Sequence, residues 1–312
     1  MWAHGNTEGG PVSIIGRLRR FPCVLPVSAL AGIYACGSSP GPGPSPGPGP
    51  GPSTAVLVGA GDIGMCGSSG PESTARLLDG VEGIVFTAGD NAYFSGTAQQ
   101  FRDCYDPSWG RHRGRTRPAP GNHEYESAGA APYFAYFGAN AGPQGLGYYS
   151  FSAGQWHVVS LNSNVPMGPG SAQVEWLRED LAGVTAQCVV AIWHHPLFSV
   201  GPNPVVIETR ELWRVLYDAG ADVIVNGHDH MYERFAPQTP DGSLDTRRGI
   251  RQFVVGTGGA ELTAFTRPRA NVETYITGTY GVLKLTLLPG SYSWQFMSAS
   301  GGGGDSGSDV CR

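Results

Sequence analysis

Short runs of apolar and β-branched residues recur along the chain after residue 53, and many of them stop at glycine or at a polar residue. Runs of this kind predict buried β-strands, whereas apolar residues spaced three and four apart predict helices with one buried face. The predicted strands cover residues 55–58, 84–87, 148–151, 156–161, 188–193, 221–225, 253–255, 282–287 and 291–297, and the predicted helices cover residues 73–78, 98–104, 171–181 and 209–218.

The order of these elements predicts the fold class. Strands and helices alternate in the early half, and the last two strands form a hairpin around Pro289 and Gly290. Ser171 is placed to cap the helix over residues 171–181. Alternation favours parallel pairing and a hairpin favours antiparallel pairing, so we expect an α/β protein with mixed sheets flanked by helices.

Polar clusters directly follow four of the strands, and a fifth cluster lies between Pro120 and Tyr125. Five loops on one sheet edge can converge on a single site, and we expect these to do so at the carboxyl ends of the strands. The clusters are Gly61-Asp62-Ile63-Gly64, Gly89-Asp90-Asn91-Ala92-Tyr93, Gly121-Asn122-His123-Glu124, Trp193-His194-His195-Pro196 and Gly227-His228-Asp229-His230.

The sequence before this domain is of a different kind. Residues 1–36 are interpreted as an export signal with three arginines before an apolar stretch. The small residue before Cys36 resembles the cleavage box of lipoproteins, in which that cysteine is lipidated. The alternative is simple signal cleavage. Residues 37–53 alternate proline and glycine, which predicts an extended spacer or an ordinary linker. The domain is assigned to residues 54–300, and residues 301–312 to a Gly/Ser-rich tail.

Four cysteines lie beyond residue 53, an even number that favours disulfides in an exported chain. Three pairings are open to them. We favour Cys66 with Cys104, because both lie just beyond strands of the candidate site, and Cys188 with Cys311, which would hold the tail. Metal ligation by these thiols is disfavoured because there is no C-x-x-C spacing.

Composition changes this picture little. The formal net charge of the 312-residue chain is −5, so nothing indicates a nucleic acid as partner. Residues 111–117 form one basic run, which we interpret either as an attractor for an anionic substrate or as a solvated loop.

The candidate ligands suit metal ions. Carboxylate, phenol and amide oxygens come early in the chain and imidazoles come late, a set that fits one hard cation and one iron- or zinc-like cation. Two metals at ~3.5–4 Å clamp an in-line displacement, and one carboxylate must then bridge them. The candidates are Asp62, Asp90, Tyr93, Asn122, His194, His228 and His230.

The ordered motifs GD-x-G, GD-x-x-Y, GNHE, a histidine before H-P, and GH-x-H-x-Y-E-R resemble the metallophosphoesterase (calcineurin-like) superfamily, and most of all its purple acid phosphatase branch. Gly64 stands where other members carry a histidine ligand, and Tyr93 stands where the purple enzymes supply a phenolate. The resemblance extends from about Asp62 to Arg234. It implies a four-layer α-β-β-α sandwich with two mixed β-sheets.

The resemblance also implies a role for each ligand. Asp62, Tyr93 and His230 would hold Fe(III); Asn122, His194 and His228 would hold a divalent ion, which is iron, zinc or manganese; Asp90 would bridge the two. With one hydroxide, the anionic ligands then leave a net charge of about +1 to receive a phosphate. A phenolate would also give the site colour.

The implied mechanism is in-line attack on phosphorus by a metal-bound hydroxide. His123 would serve the leaving group, or else orient Asn122. The family's further histidine is absent from residues 197–204. His195 is a catalytic candidate, but we expect it to point away from His194, as neighbours on an extended chain do, and a core position is the alternative. Arg234 is interpreted as structural and Tyr232 as a residue near the site.

These features predict a phosphomonoester hydrolase of the acid phosphatase type that is active at acidic pH. The alternatives are a phosphodiesterase or nucleotidase on the same scaffold, and a non-catalytic surface protein that binds phosphate compounds. We expect small phosphorylated substrates as partners, secretion or surface attachment as the location, and membrane contact only through a lipid on Cys36.

Overall fold

The structure is a computed structural model and describes residues 54–312. In this part of the chain the strands are β1 Ala55–Ala60, β2 Ile84–Ala88, β3 Thr116–Ala119, β4 Tyr149–Ala153, β5 Trp156–Ser160, β6 Cys188–Ile192, β7 Val223–Asn226, β8 Tyr232–Phe235, β9 Arg251–Val255, β10 Val272–Ile276, β11 Gly281–Leu288, β12 Ser291–Ser298 and β13 Ser306–Val310. The α-helices are α1 Gly70–Asp79, α2 Ala98–Gln100, α3 Asn122–Tyr125, α4 Ala131–Phe137, α5 Ala172–Ala182 and α6 Thr209–Asp218.

The strands form two mixed sheets. The first has the order β13-β12-β11-β1-β2-β3, with β1, β2 and β3 parallel and the remaining pairs antiparallel. The second has the order β10-β8-β9-β7-β6-β5-β4, with a parallel centre from β9 to β5. Parallel strands in both sheets end at the same edge, which brings their following loops together.

Alternate side chains of β6 pack in two different cores, and this shows how the sheets and helices are layered. Val190 and Ile192 belong to the core between the two sheets, whereas Val189 and Ala191 belong to a second core under α5 and α6, together with Leu212. Both faces of this strand are covered, as a continuous apolar run requires. Because α1 covers the first sheet, the arrangement is helix, sheet, sheet, helix, and the expected four-layer α/β sandwich is confirmed.

Several elements differ from the prediction. β3 begins within the last two residues of the basic run, where no strand is expected, and β8 and β10 add antiparallel strands to the second sheet. The helix expected over residues 98–104 begins as α2 but continues as a π-helical turn over Phe101–Tyr105. Residues 306–310, assigned to the tail, form β13 and pair with β12.

The basic run is occupied by structural contacts. Arg111 binds Glu72 at 2.8 Å and Asp79 at 2.9 Å, both on α1. Arg115 donates to the carbonyls of Leu78 and Val81, at 2.8 and 2.7 Å, just where α1 ends. These arginines therefore fix α1 against the first sheet, and neither an anion attractor nor a freely solvated loop describes them.

The cysteines pair as expected, Cys66 with Cys104 and Cys188 with Cys311. The second bridge joins the residue after β13 to the first residue of β6, so it links the two sheets. The export signal and the linker lie outside the described residues. Among residues 54–312, every helix is too short or too polar to cross a bilayer.

Candidate metal centre

The five polar clusters meet at one edge of the two sheets. Loops after β1 and β2 run side by side, with the N–H of Asp62 donating to Gly89 O at 3.0 Å and that of Ile63 donating to Asp90 O at 2.9 Å. In the second sheet the N–H of Gly227 donates to His194 O at 3.0 Å, and between the sheets the N–H of Gly61 donates to Val255 O at 2.9 Å. These main-chain contacts bring side chains from distant parts of the sequence into one buried cluster.

Asp62, Tyr93 and His230 form the first group of three. The hydroxyl of Tyr93 lies 2.8 Å from Asp62 Oδ1 and 3.2 Å from His230 Nε2, and His230 Nε2 lies 3.2 Å from Asp62 Oδ1. The three atoms thus form a triangle with sides of similar length. Ligands at ~2.1 Å from an octahedral ion stand about 3.0 Å apart, so this triangle has the size of one coordination face.

Asn122, His194 and His228 form the second group. His194 Nε2 lies 3.0 Å from Asn122 Oδ1 and 3.2 Å from His228 Nδ1. A neutral imidazole that already donates its Nδ1–H elsewhere presents a lone pair at Nε2, so this nitrogen and the amide oxygen face each other as two acceptors. A cation between them would satisfy both.

Asp90 joins the two groups through a single atom. Its Oδ2 lies 3.2 Å from the Tyr93 hydroxyl in the first group and 3.1 Å from His194 Nε2 in the second. The carboxylate is almost fully buried, and its Oδ1 accepts the main-chain N–H of His123 at 2.9 Å. This is the position that a bridging ligand requires.

Carbonyl acceptors set the imidazole tautomers. His194 Nδ1 donates to Ala88 O at 2.8 Å, and His230 Nδ1 donates to Glu261 O at 2.5 Å. In each ring the free lone pair is then on Nε2, which faces the cluster. A second partner that orients a histidine in this way is typical of metal-ligating imidazoles. The chain's own residues therefore fit a pair of metal ions.

The electrostatics of the cluster agree with this reading. Burial disfavours a charged His194, but the carboxylates of Asp90 and Asp62 outweigh it and raise its pKa to about 9. The same balance, with Asp62 as main partner, raises the pKa of His230 to about 9. Burial and two nearby carboxylates hold the pKa of Tyr93 well above its ordinary value. A bound cation would displace all three protons.

Three of these residues have left-handed backbones, with φ of 60° at Asp62, 49° at Asp90 and 74° at His228. This conformation is costly for residues other than glycine and concentrates at functional sites. In each case the strained residue ends a strand and turns its side chain into the cluster, so the local cost positions a candidate ligand.

Gly64 occupies the position at which other members of the superfamily that the sequence resembles carry a histidine ligand. A Cβ at this position would lie 2.6 Å from Asn91 O and 3.1 Å from Tyr105 Cβ. A histidine does not fit there unless the loop moves. The hydroxyl of Tyr93 enters the cluster from the neighbouring loop, as the resemblance implies.

His123 lies at the edge of the cluster. Its Nδ1 donates to Phe94 O, its Nε2 is 3.7 Å from Asp90 Oδ2, and its ring lies over Tyr93 with centroids 4.4 Å apart. About a quarter of the side chain is exposed, at 28%. His123 is thus open to solvent and close to the bridging candidate, but it belongs to neither triangle.

His195 also faces the cluster, so the expectation that it points away from His194 is wrong. β6 ends at Ile192, and the chain turns before the two histidines, which ends the alternation of an extended strand. The ring of His195 lies 4.5 Å from that of His228 and 4.9 Å from that of His194. Burial and the two neighbouring imidazoles lower its pKa to about 2.

Sequence reasoning missed two supporting groups. Glu124 is fully buried and accepts the main-chain N–H groups of Asn91, Ala92 and Gly121 at 2.8, 3.1 and 2.8 Å. Burial and the charge of Asp90 raise its pKa to about 8. The sequence signal that could have identified Glu124 is its position in the motif GNHE.

The second group is the loop after β5. Ser163 Oγ lies 2.7 Å from His195 Nδ1 and also accepts the N–H of His195 at 3.2 Å. Asn162 Nδ2 donates to the hydroxyl of Tyr125 at 2.7 Å. This loop holds His195 and the region after GNHE in place, and it carries no residue type that announces a metal site.

The two residues that extend the last cluster lie elsewhere. Tyr232 donates to Asp305 at 2.7 Å and stacks on Phe296, in the core between the sheets, so its expected place near the site is wrong. Arg234 binds Asp305 at 2.7 Å and also Glu273. It is structural, as expected.

The fold and this cluster define a class. The family described as "Calcineurin-like phosphoesterase" matches residues 56–232, which is more than half of the chain, and the chain belongs to this family. The chain is similar to purple acid phosphatase 15 of Arabidopsis thaliana, with 28% identity over 236 residues that cover 64% of this chain and 44% of that protein. It therefore spans less than half the length of that relative.

Solved structures show the same fold. A purple acid phosphatase from yellow lupin seeds superposes with a TM-score of 0.72 at 20% identity, covering 83% of this chain and 54% of that one. GAP50, described as the anchor in the inner membrane complex of Plasmodium, superposes with a TM-score of 0.66 at 11% identity, covering 84% and 90%.

Proposed function

We propose that this protein hydrolyses phosphate monoesters at a centre of two metal ions, in the manner of an acid phosphatase. The observation that carries the proposal is the position of Asp90 Oδ2, within 3.2 Å of an atom in each ligand triangle. Two adjacent cations require one carboxylate shared between their ligand sets, and Asp90 lies between two sets of three donors.

Asp62, Tyr93 and His230 would hold Fe(III), and Asn122, His194 and His228 would hold iron, zinc or manganese in the divalent state. When bound, the pair would polarise the phosphate oxygens and acidify the attacking water. Burial and two nearby carboxylates raise the pKa of Tyr93, so a phenolate ligand there would require a highly charged ion at the first position.

His123 is positioned to serve the leaving group. Its Nδ1–H donates to Phe94 O, so Nε2 is the nitrogen that can carry a proton to the leaving group. The exposed edge of the ring allows that proton to be replaced from solvent. The leaving alkoxide would take it as the ester bond breaks.

His195 is positioned to bind a phosphate oxygen. Because Ser163 Oγ accepts the N–H of His195, the serine hydrogen is free to point at Nδ1. This favours the tautomer with hydrogen on Nε2. A neutral donor beside His194 and His228 can bind an anion without repelling the cation that those two would hold.

One preparation tests the proposal. The purified protein is loaded with iron and zinc or manganese, its metal content and visible spectrum are measured, and it is assayed on 4-nitrophenyl phosphate and on bis(4-nitrophenyl) phosphate between pH 4 and 9. We expect colour, two ions per chain and faster hydrolysis of the monoester at acidic pH. Loaded protein that cleaves neither ester would overturn the proposal, and preference for the diester would favour the phosphodiesterase alternative.

We further propose that the protein is exported and attached to a membrane through Cys36, with residues 37–53 as spacer. Two disulfides support an oxidising compartment. Fractionation of cells that express the wild type or Cys36→Ser tests this. We expect the wild type in membranes and the variant in the soluble exported fraction; wild type in the cytosol would overturn it.

A further inference from the structure

A cavity of about 480 Å³ adjoins the candidate metal centre and has no part in the contacts described so far. Its walls include Tyr93, Phe94, Thr97 and the bridge between Cys66 and Cys104. Tyr93 belongs both to this cavity and, through its hydroxyl, to the first ligand triangle. A substrate whose phosphate reaches the triangle therefore has this cavity directly beside it.

Phe94 is the exposed wall of the cavity. Its side chain is 62% exposed, although a phenylalanine is usually buried. Its ring meets the rings of Tyr93 and His123 edge to face, with centroids 5.8 and 6.4 Å away. One face of an aromatic ring is thus presented to solvent next to the residue that would serve the leaving group.

The loop that carries Phe94 is held by its neighbours. Gln100 Oε1 accepts the N–H groups of Ser95 and Thr97, both at 3.0 Å, and Ser127 Oγ donates to Ser95 O at 2.7 Å. On the opposite wall the Cys66–Cys104 bridge fixes the loop after β1 to the turn after α2. The cavity is therefore a built feature and not the gap beside a loose loop.

The chemistry of the walls selects a class of ligand. Tyr93, Phe94 and the disulfide offer polarizable, apolar surface, on which planar rings stack favourably. The rest of the lining is polar and consists of Thr97, Gln99, Gln100 and the acidic Asp103. The eight residues that line the cavity include no lysine or arginine. They give no counter-charge to a second phosphate, so an uncharged leaving group fits better than a polyphosphorylated one.

We propose that Phe94 and this cavity bind the leaving group of the substrate, and that this group carries a planar aromatic ring, as in an aryl phosphate or a nucleoside monophosphate. The proposal rests on the hydrolysis proposed above. It makes Phe94 a specificity residue that contacts the departing part of the substrate rather than the phosphate.

The test compares phenyl phosphate, a nucleoside 5′-monophosphate and glycerol 2-phosphate in the wild type, Phe94→Ala and Phe94→Trp. We expect Phe94→Ala to lower kcat/KM for at least one of the two aromatic substrates about five- to ten-fold relative to kcat/KM for glycerol 2-phosphate. Phe94→Trp should retain the aromatic preference. Which aromatic substrate responds tells an aryl group from a nucleobase. The ratio of kcat/KM for an aromatic ester to kcat/KM for glycerol 2-phosphate is compared between variants, because this comparison cancels the intrinsic reactivity of each ester.

A binding measurement avoids turnover. Affinity for phenylphosphonate relative to methylphosphonate, measured by calorimetry, should fall in Phe94→Ala by a similar factor. Tyr275→Ala, which removes a 46% exposed aromatic on β10 outside the cavity, is the matched control and should change neither ratio.

An equal loss on all three esters would overturn the proposal, because it would show that the Phe94 ring acts by packing on Tyr93 and His123 and not by contacting the leaving group. No loss on any ester would overturn it as well. Wild-type protein that is loaded with metal and hydrolyses none of the three would instead reject the proposed function itself.

Discussion

Glu124 accepts the main-chain N–H of Asn91 at 2.8 Å across a gap of 33 residues, and this contact ties the loop of Asp90 to the loop of Asn122. The carboxylate also accepts from Ala92 and Gly121, so one side chain sets the distance between two candidate ligands of different groups. These three contacts are all to main-chain N–H groups, so the side chain positions the candidate ligands.

We expect Glu124→Ala to lower the free energy of unfolding by about 2–4 kcal/mol, because it leaves buried N–H groups without acceptors. Glu124→Gln should cost less but should still weaken metal retention, since its amide N–H₂ meets donors. Thermal melts and metal analysis measure both. Glu126→Gln is the control, because Glu126 lies two residues further along the chain and is exposed. Wild-type stability in Glu124→Ala would contradict the positioning role of Glu124.

Tyr93→Phe should remove one ligand and leave the packing intact. We expect loss of visible colour, weaker retention of one of the two ions and at least about ten-fold slower hydrolysis. Tyr105→Phe is the matched control, because that buried hydroxyl has no hydrogen-bond partner among residues 54–312. Retained colour in Tyr93→Phe would exclude a phenolate ligand.

Metal binding should release protons. Because His194 and His230 both have pKa values of about 9, each is protonated at pH 7 and must lose a proton to bind a cation. We expect release of about two protons, or about three with a tyrosinate ligand, and apparent affinity that rises per pH unit below pH 8 by about 100-fold for two protons or about 1000-fold for three. Calorimetry in buffers of different ionisation enthalpy counts them; release of none would contradict this electrostatic picture.

Removal of metal with a chelator should change how stability depends on pH. The raised pKa of His194 stabilises the fold fully below about pH 6.5, and this contribution is lost as pH rises through 9. The lowered pKa of Asp90 contributes above about pH 4 and is lost in acid. The lowered pKa of His195 removes stability below about pH 6.5, because the unfolded imidazole binds a proton that the buried one does not. The chelated protein should therefore melt highest near pH 6.5 and lose stability on both sides. A melting temperature that rises steadily to pH 9 would contradict this.

Gly121→Ala tests how closely two of the loops approach. A Cβ at Gly121 would lie 2.1 Å from Asp90 Oδ1 and 2.3 Å from Asp90 N. We expect loss of metal binding and lower stability, since neither loop can withdraw without moving a candidate ligand. Gly114→Ala, where a Cβ meets nothing within 4 Å, is the control. Wild-type metal content in Gly121→Ala would show that the two loops can move apart without loss of metal binding, and it would contradict this prediction.

Much of this centre could be predicted from the sequence because each candidate ligand follows a strand or a glycine whose position is set locally. Asp62, Asp90 and His228 are marked by preceding glycines and by the apolar runs before those glycines. Which side of the cluster each one takes depends on how the two sheets face each other. That placement comes from packing over long distances and entered the prediction only through the resemblance to a family.

Other features had no local signal. The side to which His195 points depends on where β6 ends, and a shift of one residue reverses it. β13 is composed of serine, glycine and aspartate, so its pairing with β12 comes from tertiary context and not from strand propensity. The contacts of Arg111 require knowing that α1 lies beside the basic run.

The strand order of the first sheet has a consequence for the synthesis of the protein. β1 sits between β2 and β11, so one of its edges stays open until residues 281–288 have been made, long after the loops that supply the candidate ligands. The ribosome therefore finishes the ligand-bearing loops before their supporting sheet can close. A nascent chain in this interval has an unpaired apolar edge, which exposes it to association with other chains.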